Sequence, residues 1–195
     1  VGTYRFELGI GNSTGTYSFR VLPVEPPQLF PIVVGEWVEP GLIAGAPAAG
    51  AGNLESPGSV DEYTLDLAEG QWVAFEERAA DNCELRWQLL KADDTVVFDQ
   101  SLSSTCGLDP SVTTIQFTEA GIYRLRVYGR GRAEGGYTFA TWNAAPQTFV
   151  LTTPFGVTVG TNWVNGVETP GAGRIETPGA SDIYEFQAVA GDWLY

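Results

Sequence analysis

The 195-residue chain carries a formal charge of −14, has Lys91 as its only lysine and contains no histidine. That balance disfavours phosphate backbones and anionic membranes as partners, and the missing histidine removes Ser-His-Asp and Cys-His machinery and most zinc sites. With 44% hydrophobic and 17% charged residues the composition is globular, and 24 glycines with 12 prolines suit many short strands joined by tight turns.

In chain order, Gly2-Thr3-Tyr4-Arg5-Phe6 and Gly15-Thr16-Tyr17-Ser18-Phe19 read as two strands. Between them, Gly11-Asn12-Ser13-Thr14-Gly15 matches the nucleophile-elbow spacing and contains a glycosylation sequon. A strand-to-strand loop lacks the helix and base that such a serine needs, so it reads as a hairpin. Val24-Glu25-Pro26-Pro27 marks a joint, and short apolar pieces follow at Ile32–Val34, Trp37-Val38 and Leu42-Ile43. Alternation of period two then dominates. Tyr63, Leu65 and Leu67 point inward, then Val73 and Phe75 after the turn Ala68-Glu69-Gly70. Leu85, Trp87 and Leu89 follow, then Val96 and Phe98, then Thr113, Ile115 and Phe117. Tyr123, Leu125 and Val127, and finally Tyr137, Phe139 and Thr141, complete the series. The Gly-rich run Gly129–Gly136 has no helix behind it to bind phosphate and reads as a hairpin.

The chain repeats itself. Gly2-Thr3-Tyr4 returns as Gly121-Ile122-Tyr123, 119 positions on. Asp61-Glu62-Tyr63 returns as Asp182-Ile183-Tyr184 and Gly70-Gln71-Trp72 as Gly191-Asp192-Trp193, each 121 positions on. A period of about 120 residues is domain-sized. It divides the chain into residues 1–27, the C-terminal part of one repeat; 28–147, a complete repeat; and 148–195, the N-terminal part of the next. The expected fold class is all-β, with jelly-roll or immunoglobulin-like two-sheet sandwiches in tandem. The chain is expected to come from within a longer polypeptide.

Gly52 to Leu65, followed by Glu69-Gly70-Gln71-Trp72-Val73, resembles the bacterial pre-peptidase C-terminal domain family. So do Glu119-Ala120-Gly121-Ile122-Tyr123-Arg124-Leu125-Arg126-Val127 and Gly136-Tyr137-Thr138-Phe139. Lys91-Ala92-Asp93-Asp94 stands at the family's central turn without its usual glycine. The resemblance implies a jelly-roll-like sandwich, secretion and an accessory role beside peptidases or in large surface proteins. It also implies that calcium or a polymer is a candidate ligand.

Three sets of residues carry chemistry. Cys83 and Cys106 are expected to form one disulfide in an oxidising compartment. Asp81, Asn82, Glu84, Asp93, Asp94, Asp99 and Asp109 fall in or near loops; Asp81, Asn82, Asp93 and Asp94 are the calcium candidates, with a plain acidic rim as the alternative. Trp72, Tyr128 and Trp142 are candidates for an aromatic platform, or for covering a sheet or joint. No catalytic residue stands out and no other cofactor is implied. The expected function is a structural or adhesive repeat of a secreted or cell-surface bacterial protein, such as the subunit of a fibre or surface layer, contacting neighbouring copies. The alternative is an accessory module of a secreted hydrolase, holding a polysaccharide or protein.

Overall fold

The computed structural model describes residues 2–8, 11, 14–19, 21, 23–102, 112–152 and 156–190. Among them the elements are all strands: β1 (Gln28–Pro31), β2 (Trp37–Glu39), β3 (Leu42–Ile43), β4 (Ala46–Pro47), β5 (Asn53–Leu54), β6 (Val60–Leu67), β7 (Trp72–Ala80), β8 (Leu85–Leu90) and β9 (Val96–Ser101). They continue with β10 (Val112–Gln116), β11 (Gly121–Gly129), β12 (Gly135–Asn143), β13 (Gln147–Leu151), β14 (Val159–Gly160), β15 (Trp163–Val164), β16 (Val167–Glu168) and β17 (Asp182–Phe186).

Two sheets make the sandwich. The first has the order β1-β6-β11-β8-β9; the second has β10-β7-β12-β2-β3-β4, with β5 paired to β12. Every pair is antiparallel except β1 with β6, where Phe30 stands opposite Tyr63. Successive long strands from β6 to β12 mostly switch sheets, so each contributes one apolar face to a shared interior. Tyr63, Leu65, Leu67, Val73, Phe75, Trp87, Leu89, Leu125, Tyr137 and Phe139 fill it. The rings of Phe75, Trp87, Phe98 and Phe139 meet mainly edge to face, the arrangement that ring quadrupoles favour.

The alternation predicted for β6, β7, β8, β11 and β12 matches the buried positions. Val96, read as inward with Phe98, is instead 50% exposed beside a register shift in β8·β9. Two further expectations need correction. The strand expected at Ile32–Val34 lies earlier, at Gln28–Pro31, because parallel pairing with β6 stacks Phe30 on Tyr63 at 5.2 Å. Ile32 instead enters the core just beyond the strand. Second, the segments around Tyr4 and Tyr17 form no strand among the described residues of 2–27. Isolated two-stranded pieces are marginal without a sheet to join.

The local geometry of residues 28–63 recurs at 147–184. The parallel pair β13·β17 copies β1·β6, with Phe149 on Tyr184 again at 5.2 Å. The ribbon β14-β15-β16 copies β2-β3-β4. Gly52 N–H donates to the Tyr63 hydroxyl at 2.9 Å, and Gly173 N–H donates to the Tyr184 hydroxyl at 2.7 Å. The Gln28 side chain sits where a Cβ on Gly50 would be, and Gln147 does the same at Gly171.

Candidate functional site

The structure separates the aromatic platform. Trp72 opens β7 and Trp142 lies near the end of β12, opposite Ala74, so the two indoles share the outer face of the second sheet. Tyr128 is on the outer face of the first sheet, across the sandwich, where its hydroxyl donates to Asp99 at 3.1 Å. Sequence spacing could not show that β11 and β12 belong to different sheets. Trp142 is engaged: its Nε1 donates to Glu76 at 2.8 Å, and the Arg78 guanidinium lies 5.5 Å from the ring centroid. A register shift between Thr138 and Phe139 makes room for Arg78 on β7, since a bulge re-aims the side chain it carries. Trp37 on β2 stands opposite Ala140 and adds a third indole to that face.

The calcium candidates fall into two separated pairs. Asp81 and Asn82 precede β8, whereas Asp93 and Asp94 follow it, roughly 20 Å away by strand rise. Each already serves the fold. Asp81 accepts from Gly136 N–H at 2.9 Å, Asn82 from Glu84 N–H at 3.0 Å and Asp93 from Thr95 N–H at 3.0 Å, while Asp94 pairs with Arg124. The bond from Thr95 holds the Asp93 carboxyl below the usual range. Among the described residues no three His, Cys, Asp or Glu side chains converge. Asp109, Asn12 and Ser13 lie outside the described residues.

Cys106 also lies outside them, and no free cysteine occurs among the described residues. Thiol titration of the denatured, unreduced chain is expected to find no sulfhydryl; one or two reactive thiols per chain would refute the Cys83–Cys106 bridge. Closing such a loop is worth roughly 3 kcal/mol.

The outer face of the first sheet carries a charge ladder. Glu62, only 5% exposed, accepts from Arg126 at 2.6 and 2.9 Å and from Arg124 at 3.3 Å. Arg86 binds Asp99 at 2.7 and 2.9 Å. Four of the ten basic residues (Arg86, Lys91, Arg124 and Arg126) serve this sheet or its edge turns, and all four pair with carboxylates.

Inside the sandwich a polar chain runs through apolar surroundings. Gly52 N–H donates to Tyr63, the Tyr63 and Tyr137 hydroxyls share a bond of 2.7 Å, and Tyr137 donates to Asp61. Asp61 is fully buried, and its Oδ1 has no hydrogen-bond partner among the described residues. Burial pushes its carboxyl from 3.8 up to about 7, against the bond from Tyr137, and nearby Glu55 adds to the rise. Burial likewise raises both tyrosines. In the sequence, Asp61 belongs to the repeated triplet and to the family-like stretch Gly52 to Leu65, and neither assigns it a buried site. The signal was available, because Asp61 shares the inward parity of Tyr63 and Leu65.

A last feature joins residues 177–179 to the sandwich. The turn Thr177-Pro178-Gly179 lies on the outer face of the second sheet. Thr177 Oγ1 donates to the Asn143 carbonyl at 2.8 Å, and Thr114 Oγ1 donates to that of Gly179 at 3.4 Å. Ala74 is completely covered although it faces out from β7.

These features describe a β-sandwich module with a packed interior and polar outer faces. No family model and no curated protein matches the chain. Among solved structures it is similar to the pre-peptidase C-terminal domain of a collagenase from Bacillus anthracis, at 16% identity over 60% of this chain and 97% of that one, with a TM-score of 0.42. It is also similar to PliG, a periplasmic inhibitor of g-type lysozyme from Aeromonas hydrophila, at 8% identity over 60% of this chain and 98% of that one, with a TM-score of 0.38. Likenesses this distant leave the function to the chain's own chemistry.

Proposed function

We propose that the chain is a run of tandem β-sandwich repeats, a structural or adhesive spacer of a long secreted or cell-surface bacterial protein, with further copies of the repeat as its immediate neighbours. The observation that carries this reading is the recurrence of one local geometry together with the exposure of its incomplete copies. Tyr4 and Phe6 are 94% and 69% exposed, whereas their sequence equivalents Tyr123 and Leu125 are 4% and 0%. Phe186 is 44% exposed, whereas its equivalent Leu65 is fully buried. A concavity of about 690 Å³ lies against β13 and β17, lined in part by Val150, Leu151 and Tyr184, and one of about 390 Å³ lies between β13 and the β15–β16 ribbon. In the complete copy β6 is paired on its other edge by β11, whereas among the described residues β17 has β13 alone. Burying one such aromatic side chain is worth about 2 kcal/mol, so each incomplete face favours meeting the strands it lacks.

The test is to complete a copy. Placing residues 28–119 ahead of Val1 supplies the strands that the period assigns to the first fragment. Unfolding enthalpy scales with ordered residues at about 0.7 kcal/mol per residue. Calorimetry is therefore expected to show roughly 1.7 times the enthalpy of the 195-residue chain, because about 120 ordered residues are added to about 160, with Tyr4 and Tyr17 protected from quenchers. An extended chain with unchanged enthalpy and exposed tyrosines would overturn the reading.

A second reading, an accessory module holding a polysaccharide or protein, draws on Trp37, Trp72 and Trp142 sharing one face. On the tandem reading, the docked Thr177–Gly179 turn already occupies part of that face.

A further inference from the structure

We infer that the Thr177-Pro178-Gly179 turn and its counterpart Ser56-Pro57-Gly58 are docking elements. The receptor of each is the outer face of β7 and β10 in the preceding copy of the repeat, so consecutive copies are locked at one fixed angle. This inference rests on the tandem reading above and adds the surface that joins one copy to the next.

The seated example is built from both sides. Gly179 has φ +77°, a conformation that disfavours any side chain. A Cβ added there would stand 2.6 Å from Ala74 Cβ and 3.2 Å from Val112 Cγ1, and would collide with Thr114 Oγ1. The turn therefore approaches as closely as glycine alone permits. The receptor is matched to it. Ala74 is a small, weakly strand-forming residue in the middle of β7, and it leaves space that Gly179 fills. Hydrogen bonds fix the register at two points, one to the linker at Asn143 and one to β10 at Thr114.

The second turn has the same shape and an unfilled partner side. Ser59 N–H donates to the Ser56 carbonyl at 3.0 Å, as Ala180 N–H donates to that of Thr177 at 3.1 Å. Gly58 has φ +90°, and the neighbour a Cβ would meet there is the Val24 side chain at 3.0 Å. Val24 precedes β1 by the same count that separates Asn143 from β13, so both turns lie against the linker at the same position, Thr177 through a hydrogen bond and Gly58 through the Val24 side chain. The Ala74 and Thr114 half for Ser56–Gly58 belongs to a preceding copy. The linker between β12 and β13 is only Ala144-Ala145-Pro146. So short a tether keeps the effective concentration of turn and receptor high, and a small neutral contact is enough to hold the joint.

The experiment is backbone ¹⁵N relaxation on the 195-residue chain and on the extended chain described above. In the 195-residue chain, amides of residues 147–152 and 156–190, which β13 and β17 hold together, are expected to tumble with those of 28–143 as one body. Gly179→Val is expected to free them, giving residues 147–152 and 156–190 a shorter correlation time while the shifts of 28–102 away from the joint stay in place. Ala74→Gln, which leaves the turn untouched, should release it as well, so a local misfolding of the turn cannot imitate the result. Gly58→Val should leave this coupling intact in the 195-residue chain. In the extended chain it should uncouple the added unit from the rest. Joint tumbling that survives both Gly179→Val and Ala74→Gln would overturn the inference, as would an extended chain whose folded added unit moves independently before any substitution. If the added unit fails to fold, the tandem reading falls, while the Gly179 and Ala74 results still decide whether the observed joint is rigid.

Discussion

Replacing Gly52 by alanine is expected to destabilise the central sandwich by about 3 kcal/mol, with contributions of roughly 1–2 kcal/mol from the left-handed backbone and 1–3 kcal/mol from overpacking. Gly52 has φ +70°, and a Cβ there would lie 2.5 Å from the Glu39 carbonyl carbon and 2.6 Å from its oxygen. Those are backbone atoms, so no side chain can swing aside. The residue is also a clamp between distant parts of the chain. Its N–H meets the Tyr63 hydroxyl, and its carbonyl accepts from Tyr137 N–H at 2.8 Å. Gly131 separates the two effects, because it has φ +65° and open space around it. Gly131→Ala should cost about 1 kcal/mol, the backbone part alone. Denaturant melts of the two variants check this: equal losses would show that the close approach to Glu39 contributes nothing.

Replacing Asp61 by asparagine is expected to remove a pH dependence of stability that the native chain has. The folded-state pKa, about 7, exceeds the ordinary carboxyl value of 3.8, so between these values the native state holds the proton better than the unfolded chain. Its stabilising contribution is complete below 3.8 and is lost as pH rises through about 7. A shift of this size amounts to about 4 kcal/mol as an upper bound, at 1.36 kcal/mol per unit. Asparagine keeps an acceptor for Tyr137 and never ionises. The variant should therefore gain on the wild type by a few kcal/mol between pH 4 and pH 8. Urea melts of both proteins across that range measure it, and parallel stability curves would contradict an ionisable Asp61 in the interior.

Both effects arise where a polar or backbone group is held in an apolar interior. Elsewhere the design is simpler. The ladder of Glu62 with Arg124 and Arg126 places paired charges on an outer face. Glu62 is nearly covered there, so its charge depends on the two arginines, and desolvation offsets most of what the pairing contributes. The acidic loop residues are engaged as well: Asp81 and Asp93 hold backbone N–H groups at turns.

Much of the fold was legible from the residues, because period-two alternation reports directly which face of a strand is buried. Tyr63, Leu65 and Leu67, and Tyr137 and Phe139, were placed correctly for that reason. The recurrence of Asp-x-Tyr at 182–184 was legible too, and Tyr63 and Tyr184 each accept from the N–H of a glycine eleven residues earlier. The candidate sites were read less well. Trp72, Tyr128 and Trp142 all point outward, as expected, but outward from different sheets. Alternation gives the face of a strand and is silent about which sheet the strand joins. Asp81 and Asp94 looked close along the chain, yet β8 carries the backbone from one end of the sandwich to the other between them.

By itself the sequence determined the all-β class, most of the inward-facing residues and the absence of histidine. These are properties of composition and local spacing, which need no knowledge of partners. The tertiary structure alone decided that Asp61 is buried beside Tyr137, that Gly52 must approach Glu39, and that Thr177-Pro178-Gly179 rests on Ala74. Each of these joins residues far apart in the chain. Such contacts depend on which strands become neighbours, and that is fixed only when the two sheets close over a common core.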